Sequence, residues 1–573
     1  MTATAARLPA PPRPGFRELF TPKLVTVLRE GYGLAELRRD AIAGLTVAIV
    51  ALPLSMAIAI ASGVSPDRGL YTAIVGGFFV SALGGSRFQI GGPAGAFIVL
   101  VAATVQAHGV DGLILATLLS GVMLAALGFL RLGSFVKFIP YPVTVGFTAG
   151  IAVIIFASQI GDLFGLVTEG RPPAHLVPKL QSLFDAARTV SAGAVGIAVL
   201  TIATILGLRR FRPGWPGLLI AVVGAALAVA LLGLPVATIG STFGGIPRTL
   251  PAPHLPDLSL DKVTAVLPAA ISFTLLGAIE SLLSAVVADG MSGRRHRSNC
   301  ELVAQGTANM ASALFGGFCV TGTIARTATN VRSGAHGPVS GILHSLFLLL
   351  FMLAAAPLAS YIPLAALAGV LAVVSYNMVE WHALRALLRS SVGDAVVVVI
   401  TFLLVIFRDL TEGIVVGTAL GALLFISRMS RDTTFEALAI GEEDVADVAS
   451  HYDATAAADP RIVVYRLSGA FFFGSAASVG AALDRIADPR AAFVLDLSAV
   501  SLLDSSAANV VETFARKAGR KKVAFYVAGA RPAVRRTLLG HGVRPPLVRY
   551  SSSVDHARAR IERALRKAEA DAT

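Results

Sequence analysis

The sequence is poor in charge. Asp, Glu, Lys and Arg make up 14% of its 573 residues, against roughly 25% in soluble globular chains. Hydrophobic residues make up 55%, and mean hydropathy is +0.74. Cysteine is nearly absent: the chain has two, Cys300 and Cys319. On one helix they would lie about 28 Å apart at 1.5 Å rise per residue, too far for a disulfide. The ten histidines show no metal-ligand spacing. No nucleophile, base and oxyanion arrangement is present, and no phosphate-cradling loop. These absences argue against an enzyme, a zinc module and an ATPase, and no metal or cofactor is expected. The first 40 residues lack the apolar core of a signal peptide and read as a cytoplasmic N-terminal arm. Net charge is +13. In a soluble chain that would raise nucleic acid as a partner; here basic residues crowd the loops expected on the cytoplasmic side.

What the sequence has in quantity is apolar segments, about fourteen of them. In the first half they are 41–60, 69–85, 93–107, 112–130, 138–161, 190–208 and 215–232. In the second half they are 263–286, 301–318, 323–332, 337–356, 361–378, 392–408 and 412–428. Several approach the ~20 residues of a spanning helix. The segments at 93 and 323 fall short, and each is third in its set of seven. That symmetry predicts two repeats, 41–232 and 263–428, inverted because each has an odd number of spans.

Both short segments open on a break: GGPAGAF from Gly91 and GTIARTATN from Gly322. Broken backbone at membrane depth is tolerated only inside protein or along a cavity. Arg326 sits within the second break, and a charge there marks a substrate path. Two such breaks predict a transporter with its site near the bilayer midplane.

Loop charge sets the expected orientation. With Arg29, Arg38 and Arg39 inside, five further loops also place their basic residues inside. These carry Arg131 and Lys137; Arg209, Arg210 and Arg212; Arg294, Arg295 and Arg297; Arg385 and Arg389; and Arg428 and Arg431. The loops at 162–189 and 233–262 fall outside, and both termini are expected in the cytoplasm of a multi-pass inner (plasma) membrane protein.

The membrane region is expected to end at Arg431. Residues 432–460 read as a linker, acidic and Ala-rich from 436 on. Residues 461–560 read as a small α/β domain, with strands in IVVYRLSG, AAFVLDLS and KKVAFYVAG. Helices are expected at 475–487 and 506–518, with a final short one in RPAVRRTLLGHG.

Three long segments resemble the sulfate permease (SulP) family of anion transporters. They are ALPLSMAIAIASGVSPDRGLYTAIVGGFFVSALGGSRFQIGGPAGAF, GAIESLLSAVVADGMSGRRHRSNCELVAQGTAN and TGTIARTATNVRSGAHGPVSGI. DLSAVSLLDSSAANVV resembles a STAS domain. The resemblance covers about residues 30–550. It implies seven plus seven spans divided into a core (spans 1–4 and 8–11) and a gate (spans 5–7 and 12–14). It also implies a homodimer, an elevator-like motion of the core and sulfate, bicarbonate or C4-dicarboxylate as substrate.

The candidate anion site is the meeting of two helix N-termini. Each presents unpaired N–H groups and about half a positive charge. One side is the backbone of Ala94, Gly95, Ala96 and Phe97; the other is Ile324, Ala325, Arg326 and Thr327. Pro93 suits a helix first turn, and Gly92 and Gly95 permit close approach of a ligand. Arg326 either faces the anion, balances Glu280 or reaches cytoplasmic water.

Glu280, in FTLLGAIESLLSAVV, has apolar residues on both sides. A carboxylate there must be paired, protonated or ion-bound, which makes it a candidate proton carrier. Ser284 lies one turn on, on the same face. Sodium-coupled bicarbonate members of the family bind their cation with an acid and a hydroxyl at matching spacing. Here Glu replaces Asp and Ser replaces Thr, a departure that favours H+ over Na+ as the coupling ion. The alternative is a charge that only locks span 8 to span 10.

Other polar residues carry less. Gln89 and Gln159 are pathway contacts or interhelical hydrogen bonds, and Tyr71 and Tyr141 are pathway or interface residues. Arg87 anchors a helix end. His336 and His344 have no assigned role. In the STAS segment, Ser506 matches a serine phosphorylated in related soluble domains, although Ala507 stands where glycine is usual. The alternative is that Asp504 or Ser505 only caps the helix. The domain is expected to regulate, to assist assembly or to bind a cytosolic protein. The reading is a secondary active transporter of small anions. The alternatives are a non-transporting membrane sensor or scaffold, and a channel-like anion conductor.

Overall fold

The computed structural model describes residues 15–134, 140–168, 176–212, 215–408, 410–437, 462–485 and 492–570. Lys137, the first 14 residues of the arm and residues 438–460 of the expected linker lie outside the described residues. The chain divides into two compact units, Met1–Ala419 and Leu420–Thr573.

The first unit is helical. Two short helices, α1 (Phe16–Phe20) and α2 (Lys23–Glu30), precede α3 (Leu34–Ala61). A helical stretch follows through α4 (Pro66–Tyr71), a π-turn at Thr72–Gly76 and α5 (Gly77–Leu83). A two-residue strand β1 (Gly91–Gly92) and a 3-10 turn (Gly95–Phe97) lead into α6 (Ile98–Phe129). Next come α7 (Tyr141–Phe164), α8 (Leu176–Asp185), α9 (Ala192–Phe211), α10 (Gly217–Leu232) and α11 (Ile239–Phe243). The second half contains α12 (Leu260–Ser292), α13 (Ser298–Leu314), strand β2 (Thr321–Gly322) and α14 (Ile324–Arg332). It continues with α15 (Val339–Ala359), α16 (Leu364–Met378), α17 (Trp381–Ser390) and α18 (Val392–Phe407), and the division at Ala419 falls within α19 (Leu410–Arg431).

Helix runs through each apolar segment of the sequence. Eight helical stretches among the described residues are long and apolar enough to cross a membrane, by length and composition. The segments 93–107 and 112–130, expected as separate spans, are two helices that meet at a kink within the range α6. They are divided only by Gly109, whose φ of 69° and ψ of −173° break the helix; glycine takes that conformation without a Cβ clash. Small residues bring helices close where lipid offers no hydrophobic drive to associate. A Cβ on Gly306 of α13 would meet the Ala125 nitrogen and the Gly121 oxygen of α6, each at 2.5 Å.

The second unit is an α/β domain. Its six-stranded sheet runs β3 (Thr434–Ala437), β4 (Ile462–Phe471), β5 (Ala492–Asp496), β7 (Ala524–Ala528), β8 (Arg549–Ser551), with β6 (Val500–Leu503) beside β4. The β3–β4 pair is antiparallel and the others are parallel. Alternation along β4 divides two cores. Leu467 faces helices α20 (Phe473–Arg485), α21 (Ser505–Arg520) and α22 (Pro532–Gly540). Ile462 and Val464 face Ala557 and Ile561 of α23 (Val554–Ala570). Two expectations change here. Residues 434–437, read as linker, form a strand. The helix in RPAVRRTLLGHG is not the last, because β8 and α23 follow it.

Candidate functional site

The two breaks meet. β1 and β2 pair antiparallel, Gly91 opposite Gly322 and Gly92 opposite Thr321. Antiparallel pairing sends the following helices away in opposite directions, so both N-termini open on the crossover. Side chains from neighbouring helices brace it. Asn309 of α13 bonds both main-chain groups of Val320, donating to the carbonyl at 2.8 Å and accepting from the nitrogen at 3.0 Å. Asn330 of α14 donates to the Phe88 carbonyl at 2.9 Å. The Phe318 nitrogen donates to the Thr72 hydroxyl at 2.9 Å. Buried backbone groups need partners, and in this irregular segment side chains supply several of them.

On the first side, Ala94 is extended (φ −111°, ψ 145°). The Phe97 N–H closes the first turn on the Ala94 carbonyl at 3.1 Å. The sequence placed Phe97 among the free backbone donors; its N–H is engaged instead, and its ring packs in the core 6.0 Å from that of Phe273. The N–H groups of Ala94, Gly95 and Ala96 make no bond among the described residues. A Cβ on Gly95 would meet Ile155 Cδ1 of α7 at 3.1 Å and Met378 Sδ of α16 at 3.7 Å.

On the second side, the Thr327 N–H bonds the Thr323 carbonyl at 2.9 Å. It too is engaged, which leaves Ile324, Ala325 and Arg326 as the free donors of that first turn. Thr327 contributes its hydroxyl instead. That oxygen accepts from the Ile90 nitrogen at 3.1 Å and from the Ser284 hydroxyl at 3.0 Å.

Arg326 is 2% exposed, so it does not reach water. Its Nη2 donates to Ser55 Oγ of α3 at 3.2 Å and to the Pro93 carbonyl at 3.3 Å. Nε and Nη1 have no partner among the described residues. A Cβ on Gly92 would run into Nη1, so glycine there makes room for the guanidinium. Arg326 thus ties one break to the other and keeps two donors unspent. It forms no ion pair with Glu280.

Glu280, Ser281 and Ser284 lie buried on α12. Glu280 has no hydrogen bond or ion pair among the described residues. Its neighbour Ser281 accepts from Gln89 Nε2 at 3.2 Å, while Gln89 Oε1 is unpartnered. Gln89 lies directly against Gly322, so it packs between the crossover and α12. No group of three or more His, Cys, Asp or Glu is placed to hold a metal among the described residues.

The remaining candidates disperse. Gln159 bonds within its own helix, to the Ile155 carbonyl and Ser158. Tyr141 donates to Glu380 at 3.0 Å, between α7 and the start of α17, and Tyr71 is buried in the core. Arg87 pairs with Glu30 of the N-terminal arm; this guanidinium holds the Glu30 carboxyl below its usual range. His344 is fully buried, with both ring nitrogens unpartnered among the described residues, and the His336 backbone N–H donates to Asp40 Oδ1 at 2.6 Å. Cys300 and Cys319 are both free thiols. Asp504 caps α21 through Ala507 N–H at 2.9 Å and accepts the Phe473 N–H at 2.9 Å; Ser506 is exposed in that first turn.

Sequence reading missed Ser55, the one hydroxyl in an otherwise apolar stretch of α3. It also missed Glu301, fully buried, which accepts from Ser86 N–H at 2.9 Å and Gln305 at 3.1 Å. A lone polar residue in an apolar run was the available signal for Ser55; Glu301 lies in SNCELVAQGTAN, where polar neighbours leave no such signal.

The Sulfate permease family model matches residues 37–401, and a STAS domain model matches residues 453–559. YvdB of Bacillus subtilis, provisionally named a sulfate transporter, is 40% identical over 87% of this chain and 93% of its own length. The bicarbonate transporter BicA of Synechocystis is 31% identical over 88% of this chain and 90% of its own. The murine solute carrier 26 family member A9, an anion transporter solved in the inward-facing state, shares the fold. Its TM-score is 0.81 at 17% identity, covering 94% of this chain and 93% of that one. By these matches the chain belongs to the sulfate permease family of multi-pass membrane anion transporters, with a STAS domain at its C-terminal end.

Proposed function

We propose that the chain carries a small inorganic or carboxylate anion across the plasma membrane by secondary active transport coupled to H+ or Na+. One observation carries the reading: two helix N-termini, one from each half of the membrane unit, open on a shared crossover beside a guanidinium with two unspent donors. An anion at membrane depth has lost its water and needs fixed donors of this kind. Arg326 adds a permanent charge in a forked geometry suited to oxyanions. Ala94, Gly95, Ala96, Ile324, Ala325 and Arg326 are the proposed backbone donors.

Sulfate-type substrates are favoured, because the relative named for sulfate is the more similar of the two compared. Glu280 is the proposed proton carrier, its unpartnered carboxylate being unused by any structural bond. Ser284 adds an oxygen and, through Thr327, a direct tie to the anion side. The inverted repeat, the elevator-type motion, cytoplasmic termini and homodimer belong to the same proposal. The STAS domain is proposed to assist assembly or to bind a cytosolic partner.

Purified protein in liposomes, given labelled sulfate, bicarbonate and succinate in turn under imposed proton or sodium gradients, tests this. Uptake of one anion above its equilibrium level, driven by one gradient, is expected. No flux of any anion would support a sensor or scaffold instead. Currents exceeding the coupled stoichiometry would support a channel.

A further inference from the structure

Within the first unit, three helices enclose an apolar cavity of about 490 Å³ that no transport step above uses. Met56 of α3 and Val222 of α10 lie on its floor, each 1% exposed. Its rim is open: Leu227 of α10 and Leu358 of α15 are 55% and 69% exposed. Tyr361, just past α15, supplies the single polar side-chain group of the lining, and it is 56% exposed.

We propose that this cavity holds one acyl chain of a bilayer lipid. α3 and α15 are of membrane-spanning length and composition, and α10 is a shorter apolar helix. The medium at the rim is therefore hydrocarbon. Water would find no hydrogen-bond partners on this floor, and no described segment of the chain covers it. A buried floor beneath an exposed rim separates the occupant from freely exchanging lipid. The polarity also fits an amphiphile: an apolar trough with one hydroxyl at an end, where a tyrosine can meet the polar part of a lipid.

The position gives such a chain a role. α9, α10 and α16 share a cluster of buried apolar residues that includes Ala198, Ala225 and Ala368. Met56 and Met352, from α3 and α15, belong to the main cluster. Val222 of α10 belongs to that main cluster as well, so the cavity is a gap in the side of one packed group. An acyl chain there fills a gap that would otherwise leave its walls without partner atoms.

The test uses the full chain in phosphatidylcholine liposomes doped with phosphatidylcholine that carries a diazirine in mid-chain. After illumination, labelled residues are mapped by mass spectrometry. Labelling of Met56 and Val222 is expected. Ala226→Phe or Ala355→Phe, each filling the cavity, should lower it at least fivefold. Labelling of the open face of α9 at Leu200 and Leu206 should stay unchanged in both variants, which also reports that they are folded. An unlabelled floor in the wild type, beside a labelled α9, would overturn the proposal. So would floor labelling that neither filling substitution reduces. None of these readouts depends on transport, so the proposal fails separately from the functional one.

Discussion

The Ser284 hydroxyl donates to the Thr327 hydroxyl across 3.0 Å. This bond joins α12, which carries Glu280, to the first turn of α14, which carries the proposed anion donors. A change at one position therefore has a short, hydrogen-bonded route to the other. Gln89 makes a second link, from the crossover to Ser281. Substrate and coupling ion, if both bind here, share a wall.

Glu280→Gln should leave the protein folded and still able to bind anion, but abolish gradient-driven accumulation. The substitution keeps size and removes the titrating group, and no structural bond is lost with it. Accumulation equal to wild type under the same imposed gradient would remove Glu280 from coupling.

Arg326→Ala should weaken anion binding at least tenfold, about 1.4 kcal/mol. Arg326→Lys should lose less, because the charge remains even though the Nη2 bonds to Ser55 and Pro93 do not. Gly92→Ala should reproduce part of the loss by displacing the guanidinium. Calorimetry on the three variants checks this; unchanged affinity in both Arg326 variants would make the residue purely structural.

Gly95→Leu should abolish binding, and Gly95→Ala should keep part of it, since even a methyl crowds Ile155 at 3.1 Å. Gly224 of α10 has nothing within 4 Å of an added Cβ. Gly224→Leu is the control, and anion affinity there should stay near wild type. Equal losses at both positions would point to general misfolding.

Removing Asp504 as a cap should destabilise the STAS domain by about 1 kcal/mol. Asp504→Ala also frees the Phe473 N–H. A lowered unfolding midpoint of the full chain, with Ser506→Ala unchanged, is the expected pair of results.

Deleting everything after Arg431 should leave a membrane unit that still inserts, because its spanning helices satisfy their own backbone groups. Protease protection of the truncated chain in membranes measures this. Failure to insert would contradict the division of the chain.

The parts of this architecture that rest on rare events were legible in the sequence. A charge in an apolar run is rare, so Arg326 and Glu280 stood out. Glycine clusters at the breaks did too. What could not be read was where the first helical hydrogen bond closes. That detail removes the N–H groups of Phe97 and Thr327 from the donor set, and it depends on backbone angles at Ala94 and Thr323. Arg326's partners were hidden for another reason. Ser55 lies 271 residues away, and only the packing of α14 on α3 brings it near. In the second unit, β6 and β8 are four and three residues long, too short for a period to show. α23 hides its buried Ala557 and Ile561 among Arg558, Arg560 and Arg563.

The two-residue pairing of Gly91 with Gly322 has a consequence for selectivity. It fixes the distance between the two helix N-termini, since neither can shift without breaking the other's backbone contacts. A site built on it is a cradle of constant width, unable to tighten around a small ion or widen for a large one. Discrimination among anions then falls to the walls that are not tied into the pairing, and Ile155 and Met378, which face Gly95, are the side chains placed to set it.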